Sequence, residues 1–153
     1  MNTGLPLTVA AVLPHEGRML LLDELLDYGP EHVECGVNIH AGSMFCDGTQ
    51  GVPVWVGLEY MAQTACAFSG VEEVRAGLEP SIGLLLGTRS FRPEGEWFPL
   101  GARLRIRADL LMRDENNLVA FACTIHDGDR LVARGDVKAL RPDDVRELLG
   151  GRR

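Results

Sequence analysis

The chain has few cysteines and none of them is paired in sequence. Cys35, Cys46, Cys66 and Cys123 are scattered through 153 residues without a C-x-x-C unit. That spacing argues against a zinc site or a disulfide framework. Lysine is nearly absent, Lys138 being the one example, and no Lys or Arg lies between Met19 and Val74. With a net charge of −7, nucleic acid is excluded as a general partner. The opening residues, MNTGLPLTVAAVLPHEGR, lack the basic start and long apolar run of a signal peptide, so the expected location is cytoplasmic. No membrane span is expected, because the longest apolar stretch, 48–70, is interrupted by Gly, Pro, Glu and Gln. There is no internal repeat and no low-complexity segment. What remains is a chain of one-domain size, 1–153, able to bury a sizeable core.

That apolar stretch is also the most informative one. It reads GTQGVPVWVGLEYMAQTACAFSG and carries a single charge, Glu59. Its spacing predicts a helix over about 54–70, with Leu58, Met61, Ala62, Ala65, Cys66 and Ser69 forming the buried face. A carboxylate within such a helix is costly unless it is paired or functional. Glu59 and Gln63, four residues apart, point the same way. Gly57 weakens the helix by about 1 kcal/mol relative to Ala, which suggests close approach of a ligand or another backbone.

Strands surround this helix in sequence. Residues 19–28 read as an opening strand. Val33, Cys35, Val37 and Ile39 alternate with polar or small residues, the period of a half-buried strand. Residues 41–53 read as a loop. Residues 81–90 are almost continuously apolar and read as a strand buried on both faces. After a Pro- and Gly-rich loop over 91–101, Leu104, Ile106, Ala108 and Leu110 alternate with charged residues. Val119, Phe121, Cys123 and Ile125 form the next inward set. Asp127-Gly128 is a hairpin turn, and 131–140 is the last strand. Residues 142–149 are suited to a short helix. One buried helix with five or six strands rules out a doubly wound sheet, which needs a helix after most strands. An antiparallel sheet around one long helix, an α+β class, fits the count.

These pieces resemble the hot-dog fold, and within it the 3-hydroxyacyl-ACP dehydratases. Leu13-Pro14-His15 followed by Met19-Leu20-Leu21-Leu22-Asp23 is similar to that family's LPH…LLVD opening. Gly57-Leu58-Glu59-Tyr60-Met61-Ala62-Gln63 is similar to its central-helix LEAMAQ motif, and Leu85 to Leu140 to its antiparallel tail. A dehydratase-like branch associated with aryl-polyene gene clusters is more similar still, sharing GVPxWVGLEYMAQ and LLGTR. The resemblance implies a dimer in which each site uses both subunits, hence a homodimer or a higher oligomer. It implies a thioester substrate on acyl carrier protein or coenzyme A, and no metal or redox cofactor.

In the family a His within a Gly-His-Phe-Pro-Gly loop removes the alpha proton, and the helix carboxyl protonates the leaving hydroxyl. The resemblance makes Glu59 this acid, a role suited to a carboxyl whose pKa burial raises. The family's His falls on Phe45, which cannot move a proton. His40, Asp47, His15 and Cys46 are the candidate replacements. His40 and Asp47 are taken as the catalytic candidates beside Glu59. His15 is pocket-lining in the look-alike family, and no sequence neighbour activates Cys46. His32 and His126, which flank turns, read as solvent-exposed. Val56 and Gly57, at the helix start, would direct N–H groups at the thioester carbonyl. His15, Val56, Gly57, Gln63 and Arg89 make up the substrate-binding set, with Arg92 a further phosphate or carrier contact. Three functions follow: a dehydratase giving a trans-2-enoyl thioester; a thioesterase in which Glu59, Gln63 and Thr64 direct water; and a non-catalytic acyl-binding subunit paired with an active partner.

Overall fold

Among the described residues, alternating apolar positions build a seven-stranded antiparallel sheet that packs on one long helix. The structure, a computed structural model, describes residues 7–15, 17–80 and 84–140. The helix suggested for 142–149 lies outside the described residues. The described chain begins with α1 (Val9–Val12), capped by Thr8, whose side chain accepts the Ala11 N–H. The strands are β1 (Glu24–Tyr28), β2 (His32–Asn38), β3 (Val52–Pro53), β4 (Leu84–Gly87), β5 (Phe91–Pro93), β6 (Trp97–Phe98), β7 (Arg103–Arg113), β8 (Leu118–Asp127) and β9 (Arg130–Leu140). The sheet order is β1-β2-β7-β8-β9-β4, with β5 also pairing β9, while β3 and β6 form a separate two-stranded piece.

The long helix α2 spans Gly57–Arg75 and is entered through a 3-10 turn, Val54–Val56. Its buried side includes Tyr60, Met61, Ala65, Ala67, Phe68 and Val71. Those side chains meet Leu104, Ile106, Phe121, Ile125 and Val137 of the sheet in one core cluster. α1 crosses α2 at Gly70, where a Cβ would collide with the Val12 backbone carbonyl. Only glycine lets the two helices approach so closely.

Several expectations need correction. The first strand starts at Glu24 rather than Met19; a 3-10 turn at Gly17–Met19 and an irregular segment precede it. The 91–101 segment contains β5 and β6. β4 is not buried on both faces: it is an edge strand, with Leu85 45 % and Leu86 51 % exposed. The helix face is also rotated from its expected position. Met61 and Ala65 are buried, whereas Leu58, Ala62, Cys66 and Ser69 are half-exposed and form, with Glu59, a stripe the chain's own sheet leaves uncovered.

Candidate active site

Glu59 lies in the first turn of α2. Its side chain is exposed, not buried, because it heads the uncovered stripe. Its hydrogen-bond partner among the described residues is Gln63, whose Nε2 donates to Glu59 Oε2 at 3.2 Å. One helical turn separates the two, which stacks them on the same side.

Gln63 is tied in three directions. Besides Glu59, its Nε2 donates to the Met19 carbonyl at 2.9 Å, and its Oε1 accepts the Leu21 N–H at 3.0 Å. These bonds fasten the segment after His15 to the helix. With both N–H groups used and the residue 2 % exposed, Gln63 has no surface to offer a substrate.

His15 is half-buried, and its Nδ1 is buried without a hydrogen-bond partner among the described residues. Burial lowers its pKa, and the Glu59 carboxylate pulls the other way. His15 is thus the candidate imidazole that feels the Glu59 charge within one chain.

The other candidate bases are placed elsewhere. His40 is exposed, and its Nδ1 accepts the Gly42 N–H at 3.0 Å. It lines a cleft of about 160 Å³ with Leu20, Asp23, Ser43 and Tyr60, and Glu59 is not among the cleft's walls. Asp47 Oδ1 accepts the N–H groups of Thr49 at 2.9 Å and Gln50 at 2.6 Å. The Gln50 and Thr49 amides, in that order, pull the Asp47 pKa below its ordinary value. A carboxylate so held is a weak base, and its geometry is that of a loop staple. Cys46 Sγ accepts the Gly48 N–H at 3.4 Å. Burial pushes the Cys35 and Cys123 thiols up to about 12, which makes them inert packing groups. His32 is half-buried beside Asp27, its Nε2 2.8 Å from the carboxylate, and His126 is half-buried in β8.

Phe45, where the sequence resemblance places a histidine, has a left-handed backbone, φ 70. Its ring lies 5.4 Å from that of Trp55. The two are 50 % and 60 % exposed, so they present an aromatic surface to solvent. Sequence gives no signal for this aromatic pairing, since residues ten apart show no common period.

The helix start also differs from expectation. Val56 is buried, and the Gly57 N–H is directed at the Val54 and Trp55 carbonyls of the preceding turn. That group is consumed by the backbone rather than offered to a ligand. A Cβ on Gly57 would meet Phe98 at 3.0 Å, Ile125 at 3.1 Å and Phe91 at 3.3 Å, so the close approach is by core side chains. Arg89 and Arg92 are exposed, and the Arg89 N–H donates to Asp136 Oδ1 at 2.8 Å. No group of three or more His, Cys, Asp and Glu among the described residues is arranged to hold a metal. None of the described helices is long and apolar enough to cross a membrane.

Residues 7–150 match the family model described as ApeP-like, ApeP dehydratase. The chain is 28 % identical to a chain of the dehydratase heterocomplex ApeI:P from Xenorhabdus doucetiae, with a TM-score of 0.85 over 97 % of this chain and 100 % of that one. Zebra fish thioesterase superfamily member 2 is similar in fold, at 13 % identity and TM-score 0.63, over 85 % of this chain and 90 % of its own. So is a sigma28-regulated virulence protein of Campylobacter jejuni, at 14 % identity and TM-score 0.62, over 88 % of each chain. No curated protein sequence matches.

Proposed function

The chain belongs to the ApeP-like dehydratase family, and from that membership we propose that it is the carboxyl-bearing half of a two-subunit site. The reaction is loss of water from a 3-hydroxyacyl thioester to give the trans-2-enoyl thioester. A base on the partner subunit takes the alpha proton, and the electron pair forms the C2–C3 double bond. Glu59 gives its proton to the C3 hydroxyl, which leaves as water, and proton return from the base through solvent resets both groups.

The observation that carries this reading is the position of Glu59 at the head of an uncovered helix stripe, and it is supported by the resemblance, which expects an imidazole where this chain has Phe45. Two copies of this chain would bring two such carboxyls and two Phe45 rings to their sites. A hot-dog partner that retains the Gly-His-Phe-Pro-Gly loop supplies what is missing. The relative from Xenorhabdus doucetiae, itself in a heterocomplex, supports a heteromeric pair over the expected homodimer. Acyl carrier protein is the carrier proposed.

The test assays the chain alone, a His-bearing hot-dog partner alone, and the two together. Each is given 3-hydroxyacyl thioesters of carrier protein and of coenzyme A. The pair is expected to form enoyl product from the carrier-bound substrate, and Glu59→Gln in the pair should lower the rate by about 10²–10⁴-fold. A Glu59→Gln pair as fast as the wild-type pair sinks the reading. Release of free thiol without enoyl product replaces it with thioester hydrolysis.

A further inference from the structure

We infer that Gln63 is a positioning residue that decides which oxygen of Glu59 delivers the proton. The inference rests on the dehydratase reading for its chemistry and on hydrogen-bond accounting for its geometry.

The Leu21 backbone N–H is only a donor, so the Gln63 atom facing it at 3.0 Å is the acceptor Oε1. That places the NH₂ group on the other side. There it meets two acceptors, the Met19 carbonyl at 2.9 Å and Glu59 Oε2 at 3.2 Å. Two N–H groups face two acceptors and nothing is left over. Turning the amide over would set donor against donor at Leu21 and acceptor against acceptor at Met19 and Glu59. The orientation is therefore fixed by its surroundings.

The consequence falls on Glu59. Its Oε2 faces an N–H donor and has no room for a proton on that side. When Glu59 is protonated, the proton sits on Oε1, and Oε1 is the oxygen that passes it to the C3 hydroxyl. A neutral amide achieves this without adding charge beside the carboxyl. The same amide holds the 17–21 segment that follows His15, so the carboxyl and this segment keep a constant separation. A displacement of about 1 Å at such a group costs up to about 100-fold in rate.

Two substitutions separate positioning from mere anchoring. Gln63→Glu keeps an acceptor for the Leu21 N–H but replaces the donor facing Glu59 with an oxygen. Gln63→Met removes both. In the two-subunit complex, Gln63→Glu is expected to lower kcat about 10- to 100-fold with KM near the wild-type value. Its pH–rate profile should change shape, because two adjacent carboxyls then share a proton. The Leu21 amide should remain protected from hydrogen exchange in Gln63→Glu and exchange faster in Gln63→Met. A Gln63→Glu complex with wild-type kcat and pH profile overturns the inference. So does Leu21 exchange that is unaltered in Gln63→Met. If the wild-type complex forms no enoyl product, the dehydratase reading fails, while the exchange result still decides the hydrogen-bond clamp.

Discussion

At the scale of the residue, the chain separates carboxylates that staple loops through backbone amides from Glu59, whose hydrogen bond comes from a side-chain amide. Asp47 and Asp136 both accept several backbone N–H groups from their own or a neighbouring loop. Asp136 Oδ1 receives Ser90 N–H at 3.0 Å, Arg89 N–H at 2.8 Å and the Thr88 hydroxyl at 3.0 Å. The Ser90 amide is the largest cause of its lowered pKa, with the Arg89 amide and the Thr88 hydroxyl adding to it. A depressed folded-state pKa contributes stability that is present above the unfolded value, about 3.9, and is lost as pH falls through the folded value. Asp136→Asn keeps an acceptor but not the charge. It should melt below wild type at pH 7, and the gap should close as pH falls below about 4. Thermal melts across that range check this, and a gap that stays constant with pH rules out the charge as its source. The site was partly legible at this scale. Glu59 stood out as the lone charge of an apolar stretch, and Gln63 as its neighbour one turn on. The partners of Gln63 were hidden, because Met19 and Leu21 lie more than 40 residues away and contribute backbone atoms, which carry no sequence signature.

At the scale of the element, strands were easier to read than the helix face. Val33, Cys35 and Val37 alternate with polar neighbours, and all three are buried in β2. Period two leaves a choice between only two faces. α2 is apolar or small nearly all round, so its sequence offers little contrast from which to choose a face. Its two glycines illustrate the same limit. A Cβ at Gly57 meets the ends of side chains, whereas one at Gly70 meets the Val12 backbone. Gly57→Ala should stay within about 1 kcal/mol of wild type, because helix propensity offsets the crowding. Gly70→Ala should cost about 3 kcal/mol or more, a fall in Tm of about 6–12 °C. Chemical denaturation of the two variants compares them directly, and equal losses would show that α1 shifts to accommodate the methyl.

At the scale of the whole molecule, three features of one chain remain open: the edge strand β4 with Leu85 and Leu86, the helix stripe headed by Glu59, and the Phe45–Trp55 surface. Exposed apolar residues on an unpaired edge invite pairing with another strand. The sequence made β4 look like an interior strand because its composition suits burial that the described residues do not supply. On the two-subunit reading, Leu86→Lys should weaken assembly with the partner and leave the melting temperature of the isolated chain within about 2 °C of wild type. Sedimentation of the mixture together with melts of the chain alone tests this, and undiminished assembly removes β4 from the interface.

The long sequence reach of the Gln63 bonds has a consequence for the order of folding. Leu21 and Gln63 are 42 residues apart, and Met19 and Gln63 are 44 apart. Neither bond forms until the chain between them has closed into a loop of that length, which costs conformational entropy. The amide that orients Glu59 thus also closes a loop of the chain, and the carboxyl takes up its oriented place only when the 19–21 segment has met α2.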